Sequence, residues 1–514
     1  MAFNLPLLTR MRVLVTGGSG VVGQSTVTAL IKRGHTVRLL SRGAAEDVQA
    51  WPAGVEPWPG DLSTPASIHG SADGCHAVVH LVGIVDETLP DRTFQRVNIE
   101  GTRAMVEEAA RAGCGRFVFV SSLGADTGTS AYHRSKAAAE AIVRAQGGEW
   151  VIIRPGAVYG PGDEHLSLML RMVRTLPVVP SIGDGSQRFQ PIWHEDLAAG
   201  LAISVDRAGI AGRELEVGGR EIITQSMLID RMQAMTDRKV PTLPVPEFLA
   251  SFGLRALNAS GVGAPISESQ LDMLREENMI AEGRPNALVQ DLGVTPTTLD
   301  EGLRRFINEQ PIQLPEEGVG TLRQKTFAVD VRPSNYTAAQ LFDYLREHLM
   351  DVMPSLVDTD PERTNASYIV EGATLTLALP FRGHIQVRVA EVADGRITLM
   401  TLAGHPLAGA VRFVTLPIEG GVHFAVQVFD RPANIVDWML MRPIGDRMQE
   451  ATWQGLAHSV AKIAGATDPD VKHIVHDLDE AAAGAVEKWA RDLAMRAKRK
   501  DASAEIADAR SRTA

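Results

Sequence analysis

The sequence has little of what several classes of protein require. Only two of its 514 residues are cysteines, Cys75 and Cys114, so neither a disulfide framework nor a cysteine-rich zinc site is available, and no metal site is predicted. No stretch approaches the roughly 18 uninterrupted apolar residues of a membrane span. The formal net charge of -11 argues against nucleic acid as the main partner, because phosphate backbones bind basic surfaces. These absences favour a protein of the reducing cytoplasm.

The overall composition, with 45% apolar and 22% charged residues, is that of an ordinary globular protein. At about 150 residues per domain, this length suggests two or three units. The proline- and glutamate-containing stretch from Gln310 to Gly320 is typical of a linker. We expect a first domain over residues 11–307, a linker over 308–323, a second domain over 324–465, and a helical, partly disordered tail over 466–514. A solvated helix is favoured for the tail over one that docks on a partner.

The stretch from Val13 to Gly23 predicts a strand, a turn and a helix. A run of apolar β-formers ends in Gly17, Gly20 and Gly23, and an apolar segment through Leu30 follows. Glycines so spaced permit a tight turn, close approach of the backbone to a pyrophosphate, and packing of the helix on its strand. An ordinary glycine-rich loop is the alternative. The strand and helix on either side favour nucleotide binding.

Apolar strands alternate with helices over the first 154 residues. Strands are predicted over residues 35–41, 55–58, 77–82, 117–121 and 150–154, and helices over 97–112 and 132–145. Strands that are apolar throughout imply a parallel sheet covered on both faces. The fold class is therefore α/β, with a doubly wound Rossmann sheet. From Pro155 to about Ile307 the pattern loosens into a region expected to form a small substrate lobe.

The pattern changes beyond the linker. A strand over residues 326–331, a helix over 338–350, a meander of strands and a long helix broken at Pro443 follow one another. This order predicts a C-terminal α+β unit, in which an antiparallel sheet wraps on a helix.

Two polar residues at the end of the second strand favour NADP as cofactor. An acidic residue at the end of the second strand would bind the ribose 2′-hydroxyl of NAD, but this strand ends in Ser41 and Arg42. A serine and a guanidinium suit a 2′-phosphate, so NADP is predicted, with NAD as the alternative cofactor and a surface role as the alternative for Arg42. Asp61 is placed either to accept from an adenine amine or to cap the segment that follows.

The residues that could carry out chemistry are Ser122, Tyr132 and Lys136. Tyr132 and Lys136 lie one turn apart on one helix face. A nearby ammonium is expected to favour the phenolate of Tyr132 and bring its pKa, about 10 in free tyrosine, into range for acid-base catalysis. Ser122 would orient the substrate oxygen. His194 is interpreted as a cap or a packed residue, and neither it nor Arg188 is assigned a catalytic role.

Several motifs in order carry a family resemblance over about residues 11 to 307. They are the glycine turn, Gly60–Leu62, His80–Gly83, Asn98–Thr102, Val120–Ala125, the Tyr132–Lys136 pair and Arg154–Gly160. Together they resemble an extended or atypical short-chain dehydrogenase/reductase of the NAD-dependent epimerase/dehydratase type. The motif Val120–Ala125, followed so soon by the tyrosine, is similar to the branch that contains the nucleotide-binding accessory subunit of respiratory complex I.

The resemblance implies roles for these residues. Ser122, Tyr132 and Lys136 would be catalytic, and the cofactor would be lined by Gly17, Gly20, Gly23, Ser41, Arg42, Asp61, Val82 and Pro155. Many relatives pair through the helices that flank the tyrosine motif, which implies a homodimer. Ser122 and Tyr132 are ten residues apart, a shorter spacing than in sugar-nucleotide epimerases, which argues against a nucleotide-sugar substrate.

The C-terminal unit, over about residues 324 to 465, is similar to helix-grip domains of the polyketide-cyclase and lipid-transfer type. The motifs Thr401–Gly409 and Phe429–Pro432 before the long helix carry this resemblance. It implies an apolar cavity and hence a hydrophobic ligand. The alternative is that Met439, Met441, Trp453 and their neighbours fill a core.

The sequence therefore predicts an NADP-preferring oxidoreductase or epimerase that acts on a small-molecule carbonyl or alcohol. The alternative is a non-catalytic NADP-binding redox sensor or assembly protein whose C-terminal domain binds a hydrophobic ligand.

Overall fold

The computed structural model describes residues 10–51, 54–176, 178–183, 185–245, 276–353, 358–359, 368–379, 383–434, 437 and 445–513. They fall into two compact units. The first is drawn from residues 1–173, 177–307 and 502–514, and the second from residues 174–176 and 308–501. Among the described helices, none combines the length and the apolar composition that crossing a bilayer would need.

A seven-stranded parallel sheet forms the centre of the first unit. Its strands are β1 (Arg12–Thr16), β2 (Thr36–Ser41), β3 (Val55–Pro59), β4 (Ala77–His80), β5 (Arg116–Val120), β6 (Glu149–Pro155) and β7 (Arg213–Val217), in the order β7-β6-β5-β4-β1-β2-β3. The predicted doubly wound sheet is confirmed. Strand β7 lies in the region that had been expected to form the substrate lobe, but it pairs in parallel with β6 and completes the sheet.

Helices cover both faces of this sheet, because its central strands are buried on both sides. The main helices are α1 (Val21–Lys32), α2 (Gly101–Arg111), α3 (Ala131–Ala145), α4 (His165–Thr175), α5 (His194–Ser204), α6 (Gln225–Met235) and α7 (Leu299–Asn308). Short helices cover Ala44–Asp47, Pro65–Ile68 and Ala287–Gln290, a π-helical turn covers Gln95–Glu100, and short strands cover Val158–Tyr159, Val179–Ile182, Arg188–Phe189, Ile192–Trp193, Ile223–Thr224 and Thr242–Val245.

The strand order reverses beside β1, which has β2 on one side and β4 on the other. At such a reversal the loops that leave neighbouring strands go to opposite faces of the sheet and open a crevice at the carboxyl edge. The carboxyl ends of β1, β4 and β5 therefore define where a ligand would lie.

An eight-stranded antiparallel sheet forms the second unit. Its strands are β8 (Arg323–Val331), β9 (Asp358–Thr359), β10 (Thr374–Leu379), β11 (Gly383–Ala393), β12 (Arg396–Thr401), β13 (Leu407–Ile418), β14 (Gly421–Pro432) and β15 (Lys472–Asp477). Its helices are α8 (Ala338–Val352), α9 (Asp446–Ile463) and α10 (Glu480–Thr513), and the residues of α10 from 502 onward are assigned to the first unit. The spatial order is β9-β10-β11-β12-β13-β14-β8-β15. The predicted antiparallel sheet with a long helix is confirmed.

An apolar core lies between this sheet and helices α8 and α9. Phe327 and Phe424 from the sheet meet Leu345 of α8 and Leu456 of α9, each at most 1% exposed. Trp453 packs against the same core. The predicted break at Pro443 and the residues Met439 and Met441 lie outside the described residues.

The structure corrects two expectations about the second unit. The predicted linker is part of the unit, because Ile312 and Leu314 pack with Met400 of the sheet. The tail is not a solvated helix throughout, because residues 472–477 form β15, and Ala490 and Leu493 of α10 are buried in the same cluster. The apolar residues at helical spacing in α10 pack against the antiparallel sheet, a contact that the sequence alone does not show.

Candidate functional site

The glycine turn after β1 has the geometry of a phosphate site. Gly17 adopts the left-handed conformation, with φ +72, and a Cβ there would lie 3.1 Å from the Val82 side chain. A Cβ on Gly23 would lie 2.1 Å from the carbonyl oxygen of Gly17, so only glycine lets α1 begin so close to the turn. Beside Gly20, the nearest atom to a Cβ is 3.5 Å away, and the residue is exposed. A ligand can therefore approach the backbone at Gly20.

The first turn of α1 is suited to an anion. Gly20 is its N-cap and offers no side-chain acceptor, and no acidic residue lies in the first turn. The N–H groups there are open to an external acceptor, and the helix dipole favours negative charge at this end. The residues present therefore fit the pyrophosphate of a dinucleotide.

The end of β2 contacts the carboxylate of Asp47, in the short helix Ala44–Asp47, to which the sequence analysis gave no role. Ser41 Oγ donates to Asp47 Oδ2 at 2.5 Å, so the serine is engaged within the protein. Arg42 is exposed and has no hydrogen bond or ion pair with another described residue. Arg42 thus offers a guanidinium that is open to a phosphate. Asp47, five residues further along the chain, offers a carboxylate that could accept a hydrogen bond from a ribose hydroxyl.

Asp61 makes a turn rather than a helix cap. Its Oδ1 accepts from the backbone N–H of Ser63 at 2.8 Å, whereas the short helix that follows begins after Thr64. The side chain is half-buried. Its contact with an adenine amine stays a prediction.

The catalytic candidates and the glycine turn both lie beside the backbone of Val82 and Gly83, which follow β4. The Val82 side chain lies 3.1 Å from where a Cβ on Gly17 would be. A Cβ on the next residue, Gly83, would lie 2.7 Å from Lys136 Nζ. On the other side of the candidates, Pro155 ends β6, and its carbonyl oxygen accepts from Leu123 N at 2.9 Å. The structure therefore brings the two predicted groups of residues to one edge of the sheet.

Tyr132 and Lys136 lie on one face of α3, near the end of β5. Lys136 Nζ donates to the carbonyl oxygen of Val120 at 2.9 Å and lies 6.0 Å from the centre of the Tyr132 ring. Ser122 lies within hydrogen-bonding reach of Tyr132, while its Oγ donates to the carbonyl oxygen of Leu123 at 3.1 Å. The three predicted catalytic side chains are thus neighbours.

The expected lowering of the tyrosine pKa is wrong for this structure. Burial raises the pKa of Tyr132 to about 12, and the hydrogen bond with Ser122 only partly opposes it. Burial also lowers the pKa of Lys136 to about 8, while the charge of Glu140 acts in the other direction. Removal from water disfavours the charged form of each side chain. At neutral pH the phenol keeps its proton.

An apolar wall surrounds the phenol. Tyr132 clusters with Ile84 and Phe94, each at most 7% exposed, and with the partly buried Val85 and Val97. The ring of Phe94 is 6.3 Å away and edge-on. On this side the phenol ring is therefore packed against apolar side chains.

Asn98 has a positional role that the sequence analysis did not assign. Its Nδ2 donates to the carbonyl oxygen of Ile84 at 3.1 Å and to Ser135 Oγ at 2.9 Å, and its Oδ1 accepts from Ile84 N at 2.8 Å. It lies in the π-helical turn, a feature that is common at functional sites. Asn98 thereby joins the segment after β4 to the helix of Tyr132.

A buried network of ion pairs joins α3 to strands β6 and β7. Arg154 donates to both oxygens of Glu140, at 2.8 and 2.7 Å, and to Asp126 at 2.9 Å. Glu214 of β7 lies 3.0 Å from the same guanidinium. Glu140 is 1% exposed and Arg154 4% exposed. Glu140 is one turn beyond Lys136, so the network fixes the helix that carries the candidates.

The two residues that had been left without a catalytic role are both engaged elsewhere. His194 is buried, its Nδ1 lies 2.6 Å from Ser25 Oγ, and its ring packs edge-on against Trp193. Arg188 is exposed and pairs with Glu277 at 3.0 Å. Within the described residues, neither reaches Tyr132.

Comparison with known families agrees with this site. The sequence model of the NAD dependent epimerase/dehydratase family matches residues 13–218, which include the glycine turn and all three catalytic candidates. The chain belongs to this family of NAD(P)-dependent enzymes. A domain of unknown function, DUF1990, matches residues 340–459 of the second unit.

Several curated proteins are similar to the first unit. A ceramide reductase of Caulobacter vibrioides is 37% identical over 190 residues, which are 37% of this chain and 59% of that protein. Sterol demethylase protein B of Methylococcus capsulatus is 31% identical over 46% of this chain and 78% of its own length. NADH dehydrogenase [ubiquinone] 1 alpha subcomplex subunit 9 of Arabidopsis thaliana is 29% identical over 55% of this chain and 74% of its own length. The expected similarity to the complex I subunit is confirmed.

Among solved structures, a UDP-glucose 4-epimerase of Thermotoga maritima with UDP-glucose is 19% identical. It covers 58% of this chain and 97% of its own, with a TM-score of 0.45.

Proposed function

We propose that this protein is an NADP-preferring oxidoreductase that reduces a ketone on an apolar molecule to the corresponding alcohol. The observation that carries the proposal is the placement of Tyr132, Lys136 and Ser122 beside the backbone that also borders the glycine turn. A bound nicotinamide cofactor would supply the hydride. The residues of this chain would hold the cofactor, orient the carbonyl and deliver the proton.

The protonation states favour the direction of reduction. A phenol with a pKa of about 12 holds its proton at neutral pH, so Tyr132 Oη can donate it to a carbonyl oxygen as negative charge develops there. Ser122 Oγ can orient the same oxygen. The Lys136 ammonium, still protonated at pH 7, would stabilise the phenolate that forms.

The surroundings of the phenol support an apolar substrate. Ile84, Phe94, Val85 and Val97 provide hydrocarbon contacts around Tyr132. The names of several relatives refer to lipids or steroids, namely a ceramide reductase, a sterol demethylase protein, 3-beta-hydroxysteroid dehydrogenases and a 2-alkyl-3-oxoalkanoate reductase. We extend that class of substrate to this chain.

The test is an assay of NADPH oxidation by the full chain with 3-oxoacyl lipids and steroid 3-ketones, together with an analysis of the products formed from UDP-glucose in the presence of NAD⁺ or NADP⁺. Turnover of the apolar ketones, with the sugar nucleotide inactive, would support the proposal. Conversion of UDP-glucose alone would overturn the substrate class, and binding of NADPH without turnover of any ketone would favour the non-catalytic alternative.

Arg42 is proposed to select NADP. We expect Arg42→Ala to raise the Kd of NADPH about 10-fold or more, the effect of losing one charge-assisted contact of about 1.5–3 kcal/mol, and to leave NADH within about twofold. The measurement is titration of both cofactors by protein fluorescence. Asp47→Asn is the companion variant, because removing this carboxylate should improve NADPH binding and weaken NADH binding. An unchanged NADPH affinity in Arg42→Ala would remove Arg42 from the 2′-phosphate site.

The charge of Lys136 predicts a pH dependence. Because the pKa of this ammonium is lowered to about 8, we expect kcat for reduction to fall as the pH rises through about 8. Lys136→Arg keeps a positive charge throughout this range, so its kcat should be lower than that of the wild type but should not change with pH. The check is kcat at saturating NADPH from pH 6 to 10. The same alkaline fall in both proteins would show that another group titrates.

A hydrophobic ligand of the second unit and a homodimer both stay predictions. Mass spectrometry of small molecules that copurify with the full chain tests the ligand, and light scattering tests the dimer.

A further inference from the structure

The position of Tyr132 depends on how α3 begins. Ser130 is the N-cap of this helix, and its Oγ accepts from His133 N at 3.2 Å. Tyr132 is the second residue of the helix, so a shift of the first turn moves the phenol directly. Residues 129–133, which we call the start of α3, are therefore the part of the fold that sets the place of the phenol.

A carboxylate from a distant part of the chain holds this start. Glu276 Oε1 accepts from Thr129 N at 2.7 Å, from Thr129 Oγ1 at 2.9 Å and from Ser130 N at 3.0 Å. Glu276 Oε2 pairs with His133 Nδ1. Both oxygens of one side chain are thus directed at the start of α3.

The ring of His133 lies between Glu276 and the phenol and contacts both. It lies edge-on to the Tyr132 ring, with centres 5.3 Å apart, and it is 3% exposed. A Cβ on Gly128 would lie 2.5 Å from His133 Nδ1 and 2.7 Å from Glu276 Oε2. The loop before the helix therefore closes around the ring, and the order of contacts is Glu276, His133, Tyr132.

Glu276 is itself held in place. Asn278, two residues further on, accepts from Gln190 N at 2.8 Å and donates to the carbonyl oxygen of Arg188 at 3.3 Å. Burial acts to raise the pKa of Glu276, but the hydrogen bonds from Thr129 and Ser130 and the adjacent His133 hold it below its usual value. The carboxylate is therefore charged at neutral pH and suited to accept from two backbone N–H groups.

We propose that Glu276 is a positioning residue, which holds the start of α3 through Thr129, Ser130 and His133 and so places the phenol of Tyr132 for proton transfer. The inference rests on the proposed function of Tyr132. Glu276 contacts none of the catalytic candidates directly and none of the residues of the glycine turn. Its loss should therefore reduce catalysis and spare cofactor binding.

The test uses Glu276→Ala, Glu276→Gln and the control Glu277→Gln, whose residue pairs with exposed Arg188 instead. For Glu276→Ala we expect kcat to fall up to about 100-fold, because small misplacements of reacting groups have effects of this size, while the Kd of NADPH stays within twofold. Glu276→Gln keeps an acceptor for the two amides and should recover part of the rate. Glu277→Gln should behave as the wild type.

Hydrogen exchange separates this inference from the proposed function. In Glu276→Ala the amides of Thr129 and Ser130 should exchange at least about tenfold faster, whether or not a substrate has been found. His133→Gln combined with Glu276→Ala should lower kcat by less than the product of the single effects. Unchanged exchange would overturn the inference with the proposed function untouched. An unchanged kcat in Glu276→Ala, or an equal loss of NADPH binding, would also overturn it.

Discussion

Tyr132→Phe is expected to lower kcat for ketone reduction by about 10²–10⁴-fold, the usual contribution of a general acid. The substitution removes one oxygen and leaves the ring against Phe94 and His133. Ser122 keeps its hydrogen bond to the carbonyl oxygen of Leu123. The Kd of NADPH and the melting temperature should therefore stay close to those of the wild type. The check is single-turnover oxidation of NADPH together with a binding titration.

Tyr159→Phe is the matched control for this prediction. Tyr159 is also a buried tyrosine of the first unit, 1% exposed, and its ring packs against Trp193 and Phe306 instead of the site. Its kcat should equal that of the wild type. If Tyr132→Phe retained full activity, Tyr132 would not be the proton donor, and the non-catalytic alternative would gain support if the protein also bound NADPH without turnover.

Glu140→Ala is expected to lower the free energy of unfolding by about 3–5 kcal/mol, because it leaves the buried charge of Arg154 without its bidentate partner. Asp126 and Glu214 remain near the guanidinium, but Asp126 is exposed and Glu214 one-third exposed. The charge of Glu140 also raises the pKa of Lys136, so its loss should move the alkaline fall of kcat to lower pH. Urea unfolding followed by circular dichroism measures the first effect.

Glu107→Ala provides the comparison for this stability change. Glu107 is an exposed glutamate of α2, and its removal should change the free energy of unfolding by no more than about 0.5 kcal/mol. Combining Glu140→Met with Arg154→Met should recover stability relative to Glu140→Ala, because no buried charge is then unpaired. Equal stability of Glu140→Ala and Glu107→Ala would show that the network contributes nothing measurable.

Local patterns were sufficient for the strands, the glycine turn and the spacing of the catalytic pair. Apolar runs that alternate with helices indicated the parallel sheet. The spacing of four positions from Tyr132 to Lys136 places both on one helix face whatever surrounds the helix. The same reasoning missed the pairing of β7 with β6, because β6 lies some sixty residues earlier and the pairing leaves no local mark. It also missed Asp47, although its carboxylate lies only six residues from Ser41.

The sequence by itself determined the class of fold, the phosphate-binding turn and the identity of the candidate acid, because each depends on neighbours within a few residues. Tertiary structure alone decided the protonation of Tyr132 and Lys136, because burial by Ile84, Phe94 and the sheet disfavours the charged form of each side chain. It also decided what holds the helix in place. Arg154 meets Glu140 from a neighbouring strand, and Glu276 meets the start of α3 across 147 residues, since only the folded chain brings such partners together.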